Sequence, residues 1–186
     1  MGERKDAARS RAAILAAARD LVAGPAAARP GELRLSTVAR EAGVGQATLY
    51  RHFATREDLL RALYDDEIDD LVAHADRLLE EYPPDVALER WFAQLAAYAR
   101  VKLGVMAVVE ASVWRDISAR TPGKLGQALG VLLEAGRTQG VLRGDLDPRD
   151  VILLSWFLAH VEEEEWAARV PRLLDVLLDG MRSREA

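Results

Sequence analysis

The sequence predicts an all-α protein of about nine helices, on three observations. Nearly every segment between the Gly and Pro breaks is rich in Ala, Leu, Arg and Glu, which are strong helix formers. No alternating run of β-branched residues persists long enough to make a strand. Capping and stop signals separate segments whose apolar residues recur at helical spacing. With half of its 186 residues apolar, the chain can bury a real core as one domain, or as one domain carrying a small extra one.

The first helix is expected from Ala7 to Val22, with Ile14, Leu15, Ala18, Leu21 and Val22 on one stripe; GPAAARPGE then closes it as a mobile loop. Ser36 is the expected N-cap of a two-turn second helix that ends at Gly43, a residue able to take the left-handed conformation of a helix end. A third helix follows from Gln46 to Phe53. Thr55 and Asp58 have the spacing of a capping box for a long fourth helix running to Tyr82, which Pro83 and Pro84 terminate.

The fifth helix is expected from Asp85 to Leu103, largely buried, with Gly104 as a break before a short sixth in VMAVVEASVW. TPG punctuates before a seventh from Lys124 to Gln139, which Gly140 and RGDLDP end. Pro148 suits the first turn of an eighth, whose VILLSWFLAHV is apolar almost all round, as for a helix buried on several sides or shared with a partner. A ninth, from Trp166 to Arg182, repeats apolar residues at Val170, Leu173, Leu174, Leu177, Leu178 and Met181.

The absence of cysteine excludes disulfides and thiolate metal sites, so no oxidising compartment is required and the cytosol is the expected location. MGERKDAARSR lacks the apolar core of a signal peptide, and no apolar run approaches the roughly 20 residues that span a bilayer. No membrane partner is expected. Net charge is −5, yet residues 1–60 hold 10 Lys and Arg against 7 Asp and Glu, whereas residues 61–186 hold 15 against 23. A modestly basic amino-terminal lobe on an acidic body is compatible with DNA, since phosphate binding is mostly local electrostatics.

Two short helices separated by GVG have the geometry of a helix-turn-helix, whose second helix lies in the DNA major groove while the first braces it. Leu35, Val38, Ala39, Val44, Leu49 and Phe53 are expected to pack inward. Gln46, Ala47, Thr48, Tyr50, Arg51 and His52 then face outward. Gln can pair with adenine and the methyls of Ala and Thr can meet thymine methyls, while Arg, His and Tyr can donate to phosphate oxygens.

STVAREAGVGQATLYRHFATREDLLRAL resembles the amino-terminal DNA-binding region of the TetR family of bacterial transcriptional regulators. The likeness spans residues 8–63, including the IL of the first helix, VAREAGV of the second, TLYRHF of the third and the opening of the fourth. It implies base contacts from Gln46, Ala47 and Thr48, a backbone grip from Tyr50 and His52, and help from Thr37; Ser36, Arg51 and Arg56 complete the candidate DNA-binding set. Gly45 stands where the family often has Ser, and Arg56 where it often has Lys. The cap is therefore weaker, and one phosphate contact differs in geometry.

The resemblance further implies a DNA-binding domain over residues 1–63 and an effector-binding and dimerisation domain over residues 64–186. Trp91, Leu95, Tyr98, Lys102, Met106, Glu110 and Trp114 are candidates for an effector pocket, with Arg100 and Arg115 as further polar groups. Helices eight and nine would pair across a two-fold axis through Leu154, Trp156, Leu158, Leu173, Leu177 and Met181. The function so implied is a homodimeric regulator, a repressor of a near-palindromic double-stranded DNA operator, released by a small-molecule effector whose identity the sequence does not encode legibly. A catalytic site, metal and cofactor are not expected.

Other readings compete. DDEIDD, residues 65–70, has DDxxD spacing that can hold magnesium for a diphosphate, but the second acidic cluster of such enzymes is missing and a solvated helix face explains it. The glutamates of EEEEWAAR point in different directions around a helix, as in an exposed turn. His74 and His160 have no Cys or His at ligand spacing, which argues against zinc or a catalytic triad. The aromatic residues Trp91, Phe92, Tyr98, Trp114, Trp156 and Phe157 suit an ordinary core as well as a ligand box. A ligand-binding module that has lost operator binding is the remaining alternative, and the intact TLYRHF speaks against it.

Overall fold

Helix-forming composition is realised throughout the computed structural model, which describes residues 2–23, 33–119 and 121–183. Among the described residues the order is α1 (Gly2–Ala23), α2 (Leu35–Glu41), α3 (Gln46–His52), α4 (Arg56–Glu81), α5 (Pro84–Val108), α6 (Ala111–Ser118), α7 (Thr121–Thr138), α8 (Pro148–Leu154), a 3-10 helix (Ser155–Ala159) and α9 (Glu163–Met181). Extended structure there is limited to an isolated antiparallel bridge between Leu142 and Arg182. GPAAARPGE, expected as a mobile loop, lies outside the described residues.

The chain forms two compact units. The first comprises Met1–Glu67 and Arg100–Ala119; the second comprises Ile68–Ala99 and Arg120–Ala186. In the first, Ile14, Leu15, Ala18 and Val22 of α1 meet Val38 and Ala39 of α2, Leu49 of α3 and Leu59, Leu60 and Leu63 of α4 in one cluster. Val101 and Val105 of α5 complete it. Each fully buried Leu, Ile or Val contributes about 1.5–3 kcal/mol, so this cluster is what holds the short α2 and α3 helical. In the second unit Trp91 is fully buried and donates its indole N–H to the Leu71 carbonyl at 2.9 Å, linking α5 to α4. Phe92 meets its ring edge-to-face at 5.7 Å.

Several expected boundaries move, some for tertiary and some for local reasons. Ser36 is not the N-cap of α2. Arg34 occupies that position without a side-chain cap, and α2 starts two residues earlier because buried Leu33 and partly buried Leu35 anchor the entry. Gly104 does not break α5. A Cβ there would lie 2.0 Å from the Val22 carbonyl oxygen, so the glycine marks a close approach to α1 and the helix runs on to Val108. The sixth helix consequently starts at Ala111 rather than within VMAVV. Thr121, Pro122 and Gly123 form the first turn of α7, where proline costs no hydrogen bond. VILLSWFLAHV is not one long helix: the Ser155 hydroxyl donates to the Val151 carbonyl at 2.7 Å, and the chain tightens there into the 3-10 turn. The ninth helix starts at Glu163 rather than Trp166, and the exposed glutamates at 163–165 form its first turn, where negative charge suits the helix dipole.

The capping box of α4 is present: Asp58 N–H donates to Thr55 Oγ1 at 3.0 Å, and Thr55 N–H to Asp58 Oδ2 at 3.1 Å. At the end of α2, Gly43 has φ +64°, its N–H donates to Arg40 carbonyl at 3.1 Å, and Val44 N–H donates to Ala39 carbonyl at 3.0 Å. This paired pattern satisfies the last carbonyls and turns the chain sharply into α3. Gly140, with φ +70°, ends α7 in the same way. Gly43→Ala meets no atom within 4 Å, so its cost is conformational alone. It is expected to be about 1–2 kcal/mol, seen as a lower urea midpoint; an unchanged midpoint would mean that the turn relaxes without strain.

Candidate nucleic-acid interface

Inward and outward faces of α2 and α3 separate as their periodicity requires. Val38, Ala39, Leu49 and Phe53 are buried, with Leu35 and Val44 packed against the cluster they form. Gln46, Ala47, Tyr50 and Arg51 are exposed, while Thr48 and His52 are half-buried. Tyr50 is 53% exposed, an unusual position for a large aromatic ring that has no core role. Ser36 is exposed and Thr37 half-buried on α2, both in its first turn and within the same local structure.

Two seven-residue helices, α2 and α3, therefore carry the polar side chains of the helix-turn-helix. Arg51 does not extend straight into solvent: its Nη2 donates to Thr48 Oγ1 at 3.0 Å and its Nε to the Ala47 carbonyl at 3.4 Å. Arg56 pairs with Glu57 at 3.2 Å, so any phosphate must compete with that carboxylate. Gly45, the N-cap of α3, provides no side-chain bond, in keeping with the weak cap expected there. Arg11 and Arg40 are basic residues that sequence reasoning did not single out. The Arg11 guanidinium lies 5.9 Å from the centre of the Phe53 ring and 3.6 Å from Asp66; exposed Arg40 pairs with its neighbour Glu41. The basic run of α1 was the available signal for Arg11.

The seven pocket candidates fall in both units. Trp91, Leu95 and Tyr98 are buried in the second, where the Trp91 indole is committed to Leu71. Lys102, Met106, Glu110 and Trp114 belong to the first. Met106 and Glu110 are exposed there, and Trp114 stands edge-on to Tyr64 at 5.0 Å. Burial pushes the Lys102 ammonium below its ordinary value. Its charge opposes folding at neutral pH, a cost relieved as pH rises through the lowered value toward that of a free lysine.

The dimer candidates also divide. Leu154, Leu173, Leu177 and Met181 line one groove of about 400 Å³, whereas Trp156 lines another of about 560 Å³ with Pro122, Gly126 and Leu153. Leu158 and Met181 are buried within the subunit itself.

The acidic run is occupied by ion pairs: Asp66 with Arg11, Glu67 with Arg19, and Asp69 with Lys124. Among the described residues no group of three or more His, Asp or Glu is arranged to hold a metal ion. His74 contacts Gln94 at 3.1 Å and Arg77 at 3.3 Å, and His160 Nδ1 lies 3.0 Å from the Trp156 carbonyl oxygen. No described helix is long and apolar enough to cross a membrane.

Residues 14–63 match the family described as bacterial regulatory proteins, tetR family, and residues 83–183 match the SbtR-like transcriptional regulator C-terminal domain. A TetR transcriptional regulator of Streptomyces coelicolor is similar in structure, with TM-score 0.83 and 33% identity over 94% of this chain and 99% of that one. A TetR regulatory protein of Mycobacterium vanbaalenii aligns with TM-score 0.74 and 28% identity over 96% and 98% of the two chains. NalD of Pseudomonas aeruginosa, described as the secondary repressor of a multidrug efflux pump, shares the fold at TM-score 0.59 and 16% identity over 97% and 100%. No curated protein sequence matches the chain. A turn built on Gly43, a polar α3 face set on a buried Leu49 and Phe53, and agreement along both halves of the chain have one meaning: the protein belongs to the TetR family of bacterial DNA-binding transcriptional regulators.

Proposed function

We propose that the protein is a repressor that binds a near-palindromic operator as a homodimer and leaves it when a small molecule binds. The observation that carries the reading is the solvent-facing set Gln46, Ala47, Thr48, Tyr50, Arg51 and His52 on a helix whose opposite side is wholly committed to a core. Gln46, Ala47 and Thr48 meet base edges; Tyr50 and His52 bond the phosphate backbone, assisted by Ser36, Thr37 and Arg56. Regulators of this family are not enzymes, which removes a diphosphate chemistry for DDEIDD.

Support for the dimer comes from where apolar surface remains open. Of the seven large hydrophobic residues left exposed among the described residues, Val131, Leu153, Leu154, Trp156 and Val176 lie in the second unit. A second copy would cover them together with half-buried Leu173 and Leu177, and two recognition helices about 34 Å apart or somewhat more would enter successive major grooves. Release follows if the effector tilts α4, whose Leu59, Leu60 and Leu63 share a core with α3. The operator then weakens effector binding by the same factor that the effector weakens operator binding. Repression is the activity named for the Pseudomonas aeruginosa protein of this fold.

Selection of double-stranded DNA from a random pool, followed by a salt titration, tests the reading. A recovered near-palindrome whose affinity falls steeply with salt supports it. Tyr50→Ala and His52→Ala are expected to weaken all sequences alike, whereas Gln46→Ala changes the preferred base with about 1–3 kcal/mol of lost discrimination. Uniform weakening by Gln46→Ala would show that Gln46 grips the backbone.

A further inference from the structure

The Arg51 side chain folds back along α3, toward the turn that enters the groove, and bonds both Thr48 Oγ1 and the Ala47 carbonyl. A guanidinium has five N–H donors and no acceptor, so in the Arg51–Thr48 bond the threonine oxygen is the acceptor. The hydroxyl hydrogen must then point elsewhere. A threonine inside a helix commonly donates it to a carbonyl one turn back and divides between two rotamers in doing so. Among the described residues Thr48 makes no such backward bond, its only side-chain partner being Arg51. Thr48 is half-buried beside Leu49 and Arg51 is exposed, and the bond from Arg51 restrains the threonine to one rotamer.

We propose that Arg51 is a positioning residue for sequence recognition: it presents Thr48 to the major groove as a hydrogen-bond donor, without itself reading a base. This rests on the operator-binding reading above. A donor at that point fits purine N7, guanine O6 or thymine O4, and is opposed by the amino groups of cytosine and adenine. Base preference at the position facing Thr48 is thereby set by a side chain one helical turn away. Without Arg51 both hydroxyl lone pairs are open and the group rotates freely, so accepting from an amino group competes better with donating to a carbonyl, and the preference relaxes. Arginine at such a surface can donate to phosphate; here its Nε and Nη2 are already engaged with α3 itself.

The test selects operator sequences from a random pool with the full chain as wild type, Arg51→Ala, Thr48→Val and the double variant. Arg51→Ala is expected to lose about three- to tenfold discrimination at one base pair of each half-site, the worth of one net hydrogen bond, with the other positions intact. Thr48→Val loses preference at the same base pair, and the double variant is no worse there than either single change. A phosphate role for Arg51 predicts another pattern: uniform weakening over all sequences, a salt slope lower by about one for each subunit, and effects additive with Thr48→Val. That pattern overturns the proposal. If wild type enriches an operator and Arg51→Ala keeps its base preference, only the positioning role fails; if wild type enriches nothing, the operator reading fails with it.

Discussion

Gly104→Ala is expected to destabilise the first unit by about 3 kcal/mol, at the upper end of what overpacking a tight contact costs. The added carbon would lie 2.0 Å from the Val22 carbonyl oxygen, 2.7 Å from its carbonyl carbon and 3.0 Å from its Cβ. Two of those three atoms are backbone, fixed by the last turn of α1, so no rotamer change relieves the clash. Helix propensity works in the opposite direction, because alanine inside a helix is favoured over glycine by about 1 kcal/mol. Gly126→Ala isolates that term: nothing lies within 4 Å of its added carbon, and the change should raise stability. Urea unfolding of the two variants thus gives shifts of opposite sign. A Gly104→Ala midpoint at or above wild type would mean that α5 and α1 do not approach so closely.

Trp91→Ala should cost about 3–5 kcal/mol in the second unit, the range for deleting a fully buried large aromatic side chain. Trp91→Phe separates packing from hydrogen bonding. It keeps a ring against Phe92 but removes the donor to Leu71, whose carbonyl retains its place in the α4 ladder. The loss then approaches the net worth of one hydrogen bond, about 1 kcal/mol, plus a small term for lost volume. Thermal unfolding followed by far-ultraviolet circular dichroism checks both. Equal losses for the two variants would place the importance of Trp91 in the indole N–H rather than in its bulk.

These two residues also show what the sequence made legible. The helix-turn-helix could be read because its determinants are local: Gly43 stops α2, Thr55 and Asp58 cap α4, and the alternation of Val38, Ala39 and Leu49 with polar neighbours separates inside from outside within 20 residues or so. Gly104 was misleading because the same residue serves a break and a close approach, and its reason, Val22, lies in another helix far back along the chain. Ser36 satisfied the capping rule, yet burial of Leu33 outweighed that preference and set the start of α2 at Leu35. Trp91 and Tyr98 favoured a core over a cavity only weakly, since an aromatic residue on an alanine-rich helix has no polar stripe to orient it. Leu154 and Leu158 were indistinguishable in an all-apolar run; the turn at Ser155 leaves Leu154 exposed and Leu158 buried.

Val101 and Val105 bear on how the protein can be cut and recombined. Both are buried among α1, α2, α3 and α4 residues, although the recognisable DNA-binding stretch ends at residue 63. A fragment ending there exposes the leucines that these valines cover. Chimeras that exchange carboxy-terminal halves between relatives at that boundary inherit a foreign α5 against their own α1, and Val22 admits only a glycine opposite it. The exchangeable module is therefore discontinuous: residues 100–119 must travel with the helix-turn-helix, not with the remainder of the carboxy-terminal half.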